Sequence, residues 1–198
     1  MKPKTKNIIR KTIYGILFLA MIVAFVYLSE KYADNKDDHV ITINDYYQNI
    51  NNSKYEIIRG SKLISLLQEG KSIIFIGSST SEAAIKYIEE LDPIIRKTGV
   101  DKIYYYDINN DKAQKNSNYY EIRELLKGSL ITTDGSENNL LAPSLYIVDN
   151  GKVKYYNIET VAIKNTDKIE DYWTQEKESA FISEVTTAIN KYYLNNDK

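Results

Sequence analysis

The chain changes its hydrophobic pattern three times. The longest uncharged run, IYGILFLAMIVAFVYL at 13–28, becomes with Thr12 and Ser29 an 18-residue stretch, 12–29. That is about the shortest helix that crosses a bilayer. Residues 30–56 are polar and rich in Asn and Asp, with only HVITI reading as a short strand. Low hydrophobicity without long periodicity predicts a linker there. From residue 57 onward, apolar residues return in the periods of a folded domain.

RGSKLISLLQEG puts Leu63, Ile64, Leu66 and Leu67 on one side of a short helix between Gly60 and Gly70. SIIFIG is a continuous apolar run, as in a central strand covered on both faces. SEAAIKYIEELDPIIRK follows as a helix with Ile85, Ile88, Leu91 and Ile95 at helical spacing, Ser81 as its cap and Glu82 in its first turn. Pro93 predicts a kink or a stop near Asp92. DKIYYYDIN, 101–109, reads as a strand, and NSNYYEIRELLKG, 116–128, as a helix ending at Gly128. PSLYIVDNGKVKYYN, 143–157, reads as a hairpin turning at Asn150-Gly151. A helix over 176–194 carries Phe181, Ile182, Val185, Ala188, Ile189 and Tyr192 as one stripe. Strands alternating with helices imply a parallel component, and the hairpin adds an antiparallel one.

Charge gives the apolar run a direction. Five basic side chains (Lys2, Lys4, Lys6, Arg10, Lys11) and no acidic one precede it. The positive-inside rule then puts the amino end in the cytoplasm and the remainder outside. A cleaved signal peptide is the alternative, but its best site, after Ala33, has Lys31 where a small residue is needed. The expected organisation is a cytoplasmic basic tail (1–11), a transmembrane signal anchor (12–29), a polar linker (30–56), a folded domain (57–194) and a tail (195–198). The whole chain is at −1, which leaves about −6 after residue 28. An acidic domain without a basic stripe is not expected to bind nucleic acid.

Cysteine is absent and His39 is the only histidine, placed in the polar segment. Disulfides, thiolate metal sites and thiol catalysis are excluded within this chain. DINND, 107–111, opens like a calcium loop, but Lys112 and Asn118 stand where Gly and a bidentate Glu are needed, so a polar loop is expected. No metal or cofactor is expected. The paired tyrosines read mainly as core and rim, since neighbours in a strand face opposite ways. Trp173, the only tryptophan, either pins the loop before the last helix or sits at the membrane surface.

Three features in order give the domain a likeness. A hydrophobic strand, IIFIG, leads through a turn into a long helix; LLAPSLYIVDNGKV precedes and enters a hairpin; a helix closes the chain. This order, over 57–194, resembles the thioredoxin-like fold. That likeness implies a three-layer α/β sandwich with a mixed central sheet. Within that fold, FIGSSTSEAAIKYIEELDPII is similar to the bacteriocin transport accessory proteins and membrane-anchored thioredoxin-like proteins of Gram-positive bacteria. On that resemblance Thr80 matches a threonine before Cys-x-x-Cys. Ser81 and Ala84 stand at the two cysteine positions, and Pro143 matches the cis-proline facing them.

Thiol–disulfide exchange needs a thiolate attacking sulfur, which a serine hydroxyl does not replace. The resemblance therefore implies a degenerate redox site and no catalytic residue. It leaves a candidate peptide-binding groove at Thr80, Ser81, Glu82, Ala142 and Pro143, with a protein or peptide partner beside an export system. Two other readings stay open. One is a non-redox enzyme using a carboxylate cluster around Glu82 and Asp107. The other is a structural subunit of a membrane complex, packed through Ala20 and Ala24 of the span.

Overall fold

A computed structural model of the chain describes residues 14, 20–22, 24, 41–131, 139–164 and 168–195. Among these, no helix is long and apolar enough to cross a membrane. The expected anchor, 12–29, lies mostly outside the described residues, as do the basic tail, His39 and the segment up to residue 40. The described residues of the anchor, Tyr14, Ala20, Met21, Ile22 and Ala24, are helical and exposed.

The domain that begins at Ile41 is built on five strands: β1 (Tyr55–Ile57), β2 (Lys71–Gly77), β3 (Ile103–Asp107), β4 (Ser144–Asp149) and β5 (Lys152–Ile158). Their order across the sheet is β1-β3-β2-β4-β5. β3 runs parallel to β1 and β2, whereas β4 is antiparallel to β2 and to β5. Among the described residues seven α-helices accompany the sheet: α1 (Gly60–Gln68), α2 (Glu82–Thr98), α3 (Asn109–Gln114), α4 (Ser117–Leu125), α5 (Thr160–Lys164), α6 (Ile169–Tyr172) and α7 (Gln175–Ile189). This is the mixed thioredoxin-like sheet expected from the element order.

β2 is central because every residue after Lys71 is buried. Ile73 and Phe75 face one core with Tyr87, Leu91, Tyr105, Leu145, Ile147, Phe181 and Val185. Ile74 and Ile76 face the other with Leu63, Leu67, Tyr106, Tyr119, Ile122 and Tyr146. The period-2 alternation of a strand thus sorts one apolar run into two cores. At the hairpin, Asn150 and Gly151 both take positive φ, +48° and +74°, the backbone that a tight two-residue turn demands.

Five expectations need correction. The linker predicted over 30–56 is folded from residue 41: Ile43, Tyr47, Ile50 and Tyr55 are buried in the first core. Their irregular spacing hides them from any periodicity test, and burial comes from tertiary packing. Ile43 lies in a one-turn 3₁₀ segment, Ile43–Asp45, rather than in a strand. The polar loop expected at 107–111 becomes α3 from Asn109. Helix α2 runs on through Pro93 to Thr98, since Leu91, Ile94 and Ile95 are buried on its inner face and hold the last turns in place. The last predicted helix divides into α7 and a π-turn, Asn190–Leu194.

Trp173 pins its loop, edge-on to Phe181 at 5.2 Å and to Tyr87 at 6.4 Å. Of the tyrosine pairs, Tyr47, Tyr105, Tyr106 and Tyr119 enter the cores, while Tyr120 and Tyr156 stay exposed.

One buried charge makes a testable contribution. Asp92 is 1 % exposed, and the Arg96 guanidinium lies 2.7 Å away without an aligned hydrogen bond. Burial raises the Asp92 carboxyl above the ordinary range, with Arg96 pulling it partly back. A raised folded-state value favours the neutral acid. Its stabilisation is complete below the ordinary carboxylate range and is lost as pH rises through the raised value. Asp92→Asn should therefore gain stability relative to the natural chain between about pH 4 and pH 7, read as urea midpoints. A difference independent of pH would contradict this.

Candidate functional site

The turn after β2 is a small hydrogen-bonded unit at the carboxyl end of the strand. Ser81 N–H donates to the Ser78 carbonyl at 3.0 Å, closing the turn. Ser81 then takes the extended N-cap conformation of α2, and its carbonyl accepts from Ala84 and Ile85, both at 3.0 Å. Its hydroxyl makes no cap hydrogen bond, so the capping role expected of that side chain is not realised. Ser81 is half-buried, Thr80 and Glu82 are exposed, and Ala84 is fully buried. Of the two positions that the resemblance sets against cysteines, Ser81 thus opens outward and Ala84 faces the core.

Asp107, the last residue of β3, holds this turn. Its Oδ2 accepts from Ser79 N–H at 3.1 Å and from the Tyr105 hydroxyl at 3.1 Å. Its Oδ1 accepts from Asn109 N–H at 2.8 Å. Asn109 in turn accepts from the Ser78 hydroxyl at 2.7 Å and donates to Ser79 Oγ at 3.3 Å. Tyr105 is kept a donor: burial raises its hydroxyl far above the ordinary range, with nearby Tyr47 and Asp107 adding to the shift. Tyr47 lies 3.1 Å from it. A Cβ at Gly77 would come within 2.5 Å of the Tyr47 hydroxyl and 2.7 Å of the Tyr105 ring, so the strand end needs glycine.

Opposite the turn, the Ala142–Pro143 peptide bond is cis. Ser144 pairs with Ile76, which puts Pro143 beside the Gly77 end of β2. Pro143 is buried and Ala142 half-buried. No hydrogen bond engages the backbone of Ala142 among the described residues. The Thr160 hydroxyl donates to the Pro143 carbonyl at 3.4 Å. Buried Glu159 accepts from Asn157 Nδ2 at 3.0 Å, from Lys177 Nζ at 3.0 Å and from the Tyr172 hydroxyl. Tyr87, on α2, donates to Asn157 Oδ1 at 2.9 Å. This second network ties α2, β5, α6 and α7 together around the Pro143 loop.

The sequence-predicted residues therefore fall on two segments, Thr80, Ser81 and Glu82 in the turn and at the start of α2, Ala142 and Pro143 in the loop before β4. No hydrogen bond or ion pair joins Glu82 to Asp107 among the described residues. No group of three or more His, Asp or Glu there could hold a metal ion. Asn109, Tyr105, Tyr47 and Glu159 were missed by sequence reasoning. The one available signal was an Asp closing a buried strand next to another strand's turn.

Comparison with known proteins yields folds and no family. No protein-family profile matches the chain, and no curated protein sequence matches it. Among solved structures it is similar to thioredoxin O2 of Arabidopsis thaliana, at 14% identity over 59% of this chain and 93% of that one, with TM-score 0.38. It is similar to Trxlp of Edwardsiella tarda at 12% identity, over 67% and 99% of the two chains, with TM-score 0.37. A thioredoxin of Trypanosoma brucei brucei matches at 14% identity over 57% and 87%, with TM-score 0.36. The class rests on the chain itself: the strand order and directions, the strand-turn-helix and the cis-proline before β4. This is a thioredoxin-like domain without a thiol.

The Asp107 network should be measurable. Three donors converge on this carboxylate, so Asp107→Asn should cost about 2 kcal/mol of unfolding free energy in urea, and Tyr105→Phe about 1 kcal/mol. A loss below about 0.5 kcal/mol for Asp107→Asn would show that the turn is held otherwise.

Proposed function

We propose that this chain is a redox-inactive, membrane-anchored thioredoxin-like protein whose domain lies outside the cytoplasm and binds an extended segment of a protein or peptide. The groove lies between Thr80, Ser81 and Glu82 on one side and Ala142 and Pro143 on the other. Its role is that of an accessory module beside a peptide- or bacteriocin-export system. The reading assigns no catalytic residue, because thiol exchange needs thiolates that the sequence does not contain.

The observation that carries it is the braced, backbone-open loop at Ala142–Pro143. An extended peptide binds such a loop through main-chain hydrogen bonds and needs no reactive side chain from the protein. Two independent networks, around Asp107 and around Glu159, brace the turn and the Pro143 loop without thiols. Rigid walls reduce the ordering cost of binding. The membrane part rests on the uncharged run 12–29 and the five basic residues before it.

Photocrosslinking tests the groove. A photoreactive residue at Thr80 in the full chain, in native membranes, should give a discrete adduct. Ser81→Trp, which fills the groove from its half-open side, should abolish that adduct. The same residue at exposed Lys168 serves as control. Equal adducts with and without Ser81→Trp would place binding elsewhere. For the anchor, the membrane-associated protein should retain its first 29 residues. A mature amino terminus after residue 29 would contradict an uncleaved span.

A further inference from the structure

A concave surface lies against the Ser79 side of the turn, where Asp107 and Asn109 also line it. It is a cleft of about 770 Å³ at the carboxyl ends of β1 and β3, where α1, α3 and α4 begin. Ile41 and Ile57 form an apolar lip and Tyr46 presents a half-buried ring. The opposite side is polar, with Arg59, Asp107, Asp111 and Asn118.

The carboxylates here are already positioned. Asp107 is held by its three donors. Asp111 accepts from the Tyr106 hydroxyl at 2.7 Å and from Asn116 Nδ2 at 2.8 Å. A carboxylate accepts about four hydrogen bonds, so both keep acceptor capacity in fixed directions. Donors also remain unspent. The Arg59 guanidinium has no ion pair, and neither the Asn118 amide nor the Tyr46 hydroxyl has a hydrogen-bond partner among the described residues. Packing keeps the wall close: a Cβ at Gly60 would come within 2.6 Å of Asp111 Oδ2 and 2.8 Å of Asn118. Among the described residues no third carboxylate or histidine completes a metal site.

From this lining we infer that the cleft binds a neutral saccharide. Each sugar hydroxyl both donates and accepts, matching a wall that mixes fixed acceptors with free planar donors. The apolar edges of the ring meet Ile41, Ile57 and the Tyr46 ring. An anionic ligand would face two carboxylates against one guanidinium. A purely apolar ligand would leave Arg59, Asn118 and Tyr46 desolvated without partners. The cleft shares Asp107 with the brace of the turn, but none of the residues proposed for the peptide groove lines it.

The test is titration calorimetry on the full chain, held in a detergent whose headgroup is not a sugar. The probes are the N-acetylglucosamine trimer, cellotriose and maltotriose, with citrate as the anionic comparison. At least one trisaccharide should bind with Kd below about 1 mM, and citrate should not. Asn118→Ala and Arg59→Ala should each weaken it about tenfold. Ile41→Trp, at a position 56 % exposed, should fill the cleft and abolish binding. Tyr120→Ala, an exposed tyrosine outside the cleft, should leave binding unchanged. Unchanged urea midpoints show that the variants fold. Absence of trisaccharide binding, preference for citrate, or binding that survives Ile41→Trp would each overturn the assignment.

Discussion

The burial of β2 on both faces is the constraint from which the rest of the domain follows. A strand covered on two sides must sit in the middle of its sheet, take partners on both edges and carry apolar residues at every position. Ile73 and Phe75 serve one core and Ile74 and Ile76 the other. The chain can leave such a strand only at its end. That end, Gly77, is where the turn, the start of α2, the end of β3 and the cis-proline loop all meet. The location of the turn beside the cis-proline loop is thus a consequence of core packing.

Without sulfur, the turn has a different kind of support. On the β3 side one carboxylate, Asp107, gathers a backbone amide from each of two elements and a buried tyrosine hydroxyl. On the β4 side a buried Glu159 does comparable work for the loop that touches Pro143. Taking a charge out of water, wholly at Glu159 and partly at Asp107, is costly unless it is hydrogen-bonded. Each accepts from three groups, whereas Asp92, midway along α2, has the misaligned Arg96 guanidinium and the Asn51 backbone beside it. The well-satisfied carboxylates lie around the groove, and the poorly satisfied one lies away from it.

Much of the fold was legible because it is written in local signals. The apolar run of β2, the helical spacing along α2 and the Asn150-Gly151 turn each specify an element by themselves. Pro143 was legible through its place before a hairpin strand. The segment 41–56 was not, because Ile43, Tyr47 and Ile50 fit no single period and are buried only by tertiary contacts. Pro93 misled for a related reason: the local cost of proline is outweighed by burial of the residues after it. For the site, Thr80, Ser81, Ala84 and Pro143 could be named from their order along the chain. The Asp107 and Glu159 networks could not, since their members are brought together only by the sheet.

We propose that the turn from Thr80 to Ala84 keeps the geometry of a Cys-x-x-Cys site without its sulfur. Restoring the sulfur tests it most directly. The double variant Ser81→Cys, Ala84→Cys would be equilibrated with glutathione and its thiols counted by alkylation and mass. If the geometry is retained, the two cysteines should form an internal disulfide that opens and closes reversibly while the fold stays intact. Cysteines that remain free, or that link only between molecules, would show that the turn no longer has that geometry.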